Sequence, residues 1–288
     1  YRWIALGTSQ RRGQVDILAA MDLKRRRDRG LRIVAIGGGT GLSTLLRGLK
    51  HETGNLTAIV TIADDGGSSG RLREELHMPP PGDARNCLIA LSEAEPLMEE
   101  LLHHRFEGSS SLNGHSLGNL LLAALYEMRG GLQEGLEAAA QLLALSGRVV
   151  PVSNESNLVL MGETVSGGVL RGESAIGHAP ERLRRVWMES EGAEGAVASE
   201  AALEAIRQAE LIVIGPGSLY TSILPNFLVR GVSETVAASS APKVFVCNVA
   251  TQPHETDGYG VAEHFNVFKS YSGVSLTHVL VNSNVRPL

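Results

Sequence analysis

Residues 33–41, Ile-Val-Ala-Ile-Gly-Gly-Gly-Thr-Gly, run a short apolar segment straight into four glycines and a threonine. Ile33 to Ile36 have the length and β-branched content of a buried parallel strand. Glycine lacks a Cβ and reaches positive φ, so Gly37 to Gly41 can turn tightly and bring backbone N–H groups against an anion. A helix beginning near Leu42 aims its amides and dipole at the same point. The stretch therefore predicts a phosphate or diphosphate site. It is not G-x-G-x-x-G, because the sixth position is Leu42, and no Gly-Lys-Ser/Thr follows as in a P-loop. The anion is nucleotide-like, with neither NAD nor ATP specified.

Working outward, Leu45, Leu46 and Leu49 form a helical face, and Leu56 to Ala63 reads as a second strand. Strand, helix and strand make a right-handed βαβ unit with parallel strands. The second strand ends in Asp64-Asp65-Gly66-Gly67-Ser68-Ser69-Gly70, with Asp64 following Gly41 by 23 residues. Nucleotide-binding folds place a ribose-binding acid ~20 residues on. Asp83 is expected to cap a helix after Pro79-Pro80-Pro81, and Leu117 to Leu145 reads as helix broken near Gly130-Gly131. Val149 to Ile176 reads as hairpin strands and Glu181 to Gly195 as a surface helix and loop. The parallel pattern then resumes: Leu211 to Ile214 enters Gly215-Pro216-Gly217-Ser218, and Lys243 to Val246 enters Cys247 to Pro253. Four polar loops should thus meet at one sheet edge, where open α/β folds bind ligands.

The 288 residues suffice for one large α/β domain. Aromatic content of 4% and a formal net charge of −5 argue against nucleic acid as a partner. Cys87 and Cys247 stand far apart, so no disulfide or zinc framework is expected, and the compartment is cytoplasmic. Residues 1–30 read as a basic leader, with Lys24, Arg25, Arg26, Arg27 and Arg29 before the first strand. Such a run suits the inner face of a membrane beside an anchor upstream of Tyr1, and equally a solvated leader.

Gly114-His115-Ser116-Leu117-Gly118 matches the hydrolase elbow G-x-S-x-G but lacks a preceding strand. It reads instead as a helix start on which His115 and Asn119 share a face, toward the site or toward the core. Asp64 and Asp65 suit magnesium with phosphates, a ribose, a general base, or a turn opener. Thr221 and Ser222 suit phosphate binding or helix capping. Asn248, Thr251 and Gln252 suit a base edge, a sugar, or their own loop.

Taken together, Gly37 to Leu42, Ala63 to Gly70, Pro81 to Asn86, Gly114 to Leu120, Ile214 to Asn226 and Cys247 to Tyr259 closely resemble the gluconeogenesis factor (YvcK-type) family. That family is related to the CofD-type 2-phospho-L-lactate transferases. The resemblance implies a Rossmann-like, doubly wound α/β fold with a mainly parallel sheet. It implies a single domain over 31–288, with a helical and β-hairpin subdomain inserted at about 85–195. It also implies a UDP-sugar ligand such as UDP-N-acetylglucosamine, and roles in cell shape, cell-wall integrity and growth on gluconeogenic carbon. Carried over by motif, Gly38, Gly39, Thr40 and Gly41 hold the diphosphate, and Gly217, Ser218, Thr221 and Ser222 support it. Asp64 or Asp65, Asn119, Asn248, Thr251 and Gln252 take the remaining polar groups. His254 stands where the family pattern places glycine. No catalytic residue is assigned; the alternative is a CofD-like transferase using Mg2+, a guanine-nucleotide-linked donor and a deazaflavin acceptor. A homodimer is compatible with this reading.

Overall fold

The computed structural model describes residues 26–93, 96–190 and 195–283. The expected leader lies mostly outside them. Six strands form one sheet: β1 (Ile33–Gly37), β2 (Leu56–Val60), β3 (Arg148–Pro151), and, later in the chain, β7 (Leu211–Ile214), β8 (Lys243–Val246) and β9 (His278–Leu280). Their order is β3-β2-β1-β7-β8-β9 and every pairing is parallel. Strand β1 lies at the centre, with Ile33 opposite both Leu56 and Leu211, and is buried along its whole length. That burial on both faces is why its sequence is continuously apolar rather than alternating.

The chain leaves β1 toward β3 on one side and returns to the other side at β7. Right-handed crossovers running in opposite directions place their helices on opposite faces, which is the doubly wound arrangement. The point of reversal, between β1 and β7, is where such sheets open a crevice at the carboxyl ends of their strands.

Helix α1 (Gly39–Leu49) follows β1, and α2 (Gly67–Leu76) and α3 (Gly82–Leu91) follow β2. Next come α4 (Pro96–His103), α5 (Leu117–Arg129) and α6 (Leu132–Leu142). Gly130, at φ 82, ends α5 as expected of the Gly130-Gly131 break. Pro81, not Asp83, occupies the cap position of α3; Asp83 lies in the first turn, where its carboxylate also meets the helix dipole.

Two segments differ from their expected structure. Arg148–Pro151, read as part of a hairpin, joins the main sheet as β3, its valines buried beside β2. The stretch at 85–195 thus contributes a strand to the central sheet as well as the separate elements β4 (Val159–Thr164), β5 (Val169–Arg171) and β6 (Leu183–Glu189). These three form an antiparallel sheet of order β5-β4-β6. Strand β6 falls where a surface helix was expected. Its arginines obscure the pattern: Leu183 and Val186 are buried, while Arg184 and Arg185 pair with Glu163 across the ladder.

The small sheet is tied down at two points. The Val186 amide donates to the Tyr271 hydroxyl at 2.9 Å, and the Ser174 amide, in α7 (Glu173–Gly177), donates to Asp65 Oδ1 at 2.8 Å. Both cysteines are buried and unbridged. Among the described residues no helix is long and apolar enough to cross a membrane.

His254 adopts φ 64, the left-handed region that favours glycine, with its amide donating to Asp257 Oδ2 at 2.6 Å. A side chain there costs ~1–2 kcal/mol. Part of that is offset by the larger entropy glycine loses on folding. His254→Gly is therefore expected to stabilise the fold by about 0.5–1 kcal/mol, raising the melting midpoint by ~1–4 °C. A thermal melt of both proteins checks this.

Candidate functional site

The loop leaving β1 and the loop leaving β7 interlock at the reversal point. A Cβ built on Gly41 would stand 2.5 Å from the Pro216 carbonyl oxygen, and one on Gly217 would stand 3.4 Å from the Gly38 carbonyl oxygen. Gly38 is hemmed in from its other side, where a Cβ would come 2.5 Å from Asp83 Oδ2 and 2.7 Å from Thr61 Cγ2. Gly39 takes φ 63, which turns the chain from strand to helix. Asn226, fully buried, ties the two loops together by donating to the Gly37 carbonyl at 3.1 Å and to that of Ser222 at 2.9 Å.

Between these loops and the loop after β8 lies a cleft of about 610 Å³. Gly38–Gly41, Pro216–Ser218, Thr221, Ser222, Val246–Gln252 and Glu173 line it. The amino end of α1 opens on it with no acidic side chain of its own in the first turn, although the Gly39 amide donates to the Asp83 carboxyl behind the loop. None of the lining residues is Lys or Arg.

The second glycine loop is held from inside. Ser218 caps the turn Leu219–Ile223, accepting from the Thr221 amide at 3.1 Å and from the Thr221 hydroxyl at 2.7 Å, while its own hydroxyl donates to Glu255. Asn248 grips Gly217 at both ends: its Oδ1 accepts from the Gly217 amide at 3.1 Å and its Nδ2 donates to the Gly217 carbonyl at 2.7 Å.

Acidic groups collect beside the cleft. Burial, then the Asp64 charge, pushes the Asp83 carboxyl up to about 7, against the pull of the Gly39 amide that donates to it and of Arg85. Glu173, carried into the cleft by the small sheet, rises to about 8, through burial first and then Asp64, Asp83 and Asp65; its carboxyl also shares a hydrogen bond with Thr221. Near neutrality Glu173 is mostly protonated and Asp83 about half so. The Glu173 carboxyl can then donate a hydrogen bond where a carboxylate would repel an anion.

Of the residues expected at the site, the cleft gathers Gly38, Gly39, Thr40, Gly41, Gly217, Ser218, Thr221, Ser222, Asn248, Thr251 and Gln252. Gln252 Oε1 is buried and has no hydrogen-bond partner among the described residues. The structure places three others elsewhere. Asp64 Oδ1 closes a turn by accepting from the Gly66 amide at 2.9 Å, and Asp65 anchors α7. Asn119 lies in a buried polar cluster: it donates to Ser68 Oγ at 3.0 Å and accepts from Arg85 at 3.0 Å, with His115 Nδ1 2.9 Å from the same Ser68 oxygen. The shared face of His115 and Asn119 thus meets Ser68, not the cleft.

Glu173, Asp83, Asn226 and Glu255 were not singled out as site residues. Asp83, Asn226 and Glu255 fall inside the motifs Pro81–Asn86, Ile214–Asn226 and Cys247–Tyr259, so their signal was present. Glu173 follows β5 in Arg-Gly-Glu-Ser and has no local signal, because only tertiary packing brings it to the cleft.

A six-stranded parallel sheet of Rossmann order, with a glycine-lined cleft at its switch point, is the class of protein that this fold and site define. The family model described as 2-phospho-L-lactate transferase CofD matches residues 33–287. A gluconeogenesis factor of Halalkalibacterium halodurans is 51% identical over 85% of this chain and 74% of its own. That of Bacillus subtilis is 49% identical, over 89% and 80%. A crystal structure of a UPF0052-family protein from Bacillus halodurans superposes with TM-score 0.84 at 48% identity, covering 90% of this chain and 82% of that one. The chain belongs to the CofD family, among the proteins called gluconeogenesis factors.

Proposed function

We propose that the protein is a nucleotide-sugar-binding regulator, whose cleft takes a UDP-sugar such as UDP-N-acetylglucosamine. One observation carries this reading: two interlocked glycine loops at the switch point, amide-rich and without a lining cation. Backbone amides and a helix dipole can hold a diphosphate. With acids rather than lysines alongside, they favour the least charged form of it. A diphosphate esterified at both ends, as in a nucleotide sugar, lacks the extra terminal ionisation of a free nucleoside diphosphate or triphosphate. The relatives' name supports a role in growth on gluconeogenic carbon, to which cell shape and cell-wall integrity belong in this proposal.

The test is calorimetric titration with UDP-N-acetylglucosamine and with GDP, each with and without magnesium. Selective, metal-independent binding of the UDP-sugar is expected; GDP preference requiring magnesium overturns it. Thr40 is exposed at the loop, its carbonyl engaged by Ser43 and Thr44 and its hydroxyl available to ligand. Thr40→Val removes one hydroxyl donor worth about 0.5–1.5 kcal/mol, so affinity should fall ~2–10-fold in the same titration.

The CofD match supports a second reading, phospholactyl transfer assisted by magnesium. Among the described residues no group of three or more His, Cys, Asp or Glu is placed to hold a metal ion. Turnover of a guanine-nucleotide-linked donor is the outcome that would favour this reading.

A further inference from the structure

The loop after β8 does more than border the cleft, since its side chains take hold of the facing loop. Glu255 is 4% exposed. Among the described residues no Lys or Arg is ion-paired with it. A buried carboxylate without a cation is costly unless hydrogen bonds satisfy it. Here the donors come from the second glycine loop: the Ser218 hydroxyl and the Tyr220 amide at 2.8 Å, while the neighbouring Thr221 amide donates to Ser218 Oγ at 3.1 Å.

The carboxylate is itself held rigidly. The Glu255 and Thr256 amides donate to the Gln252 carbonyl at 3.2 and 2.9 Å, and the Gln252 amide donates back to Thr256 Oγ1 at 2.8 Å. Thr221, Ser218 and Glu255 thereby form a directed chain of hydroxyl donors that ends on the buried acid.

We propose that Glu255 is a positioning residue: it fixes Ser218 and Tyr220, and through them the loop that faces the Gly38–Gly41 amides. Its effect on ligand rests on the nucleotide-sugar reading, but its effect on the loop does not. Glutamine keeps an acceptor oxygen at this position, whereas alanine leaves the Ser218 hydroxyl and the Tyr220 amide without one.

The test is amide hydrogen exchange on the ligand-free chain, paired with titration by UDP-N-acetylglucosamine. In Glu255→Ala the Tyr220 amide should exchange at least ten-fold faster, with β1 unchanged and affinity at least ten-fold weaker. Glu255→Gln should stay within about three-fold of the parent in both. Wild-type protection at Tyr220 in the alanine variant overturns the proposal, as does equal loss in the glutamine variant. If Glu255→Ala does not fold, Glu255→Gln and Ser218→Ala decide: Tyr220 protection should persist in both, and its loss in the glutamine variant overturns the proposal. A parent protein that ignores UDP-sugars refutes the ligand reading and leaves the exchange result standing.

Discussion

Replacing Gly41 by alanine should reduce UDP-sugar affinity by ten-fold or more and lower the melting midpoint, although alanine is the better helix former. Gly41 lies in α1, where alanine is worth ~1 kcal/mol over glycine by propensity alone. The obstacle is tertiary: its Cβ would sit 2.5 Å from the Pro216 oxygen and 2.7 Å from the Pro216 carbonyl carbon, both backbone atoms. The two loops would have to separate, and such overpacking costs about 1–3 kcal/mol. Gly48 supplies the control within the same helix. It is exposed, with nothing within 4 Å of a Cβ placed there, so Gly48→Ala should stabilise by ~0.5–1 kcal/mol and leave binding unchanged. Melting curves and titrations of the two variants check the contrast; equal behaviour would refute the interlocked-loop account.

The second large effect is on pH. Asp83 and Glu173, at about 7 and about 8, hold protons in the folded protein that the unfolded chain has already released above the ordinary carboxylate range. The native state then binds more protons, so stability falls as pH rises. The contribution is complete below the ordinary carboxylate pKa and lost once pH passes about 8. A doubly esterified diphosphate does not titrate in this window, so its affinity should follow the wall. Like charges a few ångströms apart repel by ~1–4 kcal/mol, which predicts about ten-fold weaker binding at pH 9 than at pH 6. Glu173→Gln keeps a hydrogen-bonding group and removes the charge, so most of the loss above pH 7 should disappear. Melting and titration across the range check this; a glutamine variant as pH-sensitive as its parent would exclude Glu173 as the source.

The central sheet was legible because its strands carry their own signal. Runs such as Ile33–Ile36 and Leu211–Ile214 are apolar on both faces and end in glycine, and the parallel arrangement with its loops at one edge follows from that, whereas the strand order is set by tertiary packing. Strand β6 was hidden because its arginines, paired with Glu163, interrupt the alternation that marks a strand. Strand β3 was mistaken for a hairpin strand because a short β-branched run does not say which sheet it will join. At the site, glycines were readable since their role is backbone geometry. The polar side chains were not: Asp65 and Asn119 have the right chemistry, but their partners, Ser174 and Ser68, are set by packing over long sequence separations.

The absence of Lys and Arg among the residues lining the cleft bears on how binding responds to ionic strength. Sites that clamp phosphates with cationic side chains weaken as salt screens them. In the proposed nucleotide-sugar complex the attraction would come from fixed amide dipoles, and the nearby acids would oppose it only to the extent that they are ionised. Added electrolyte should screen the opposition at least as much as the attraction, so affinity should hold or rise between dilute buffer and physiological salt.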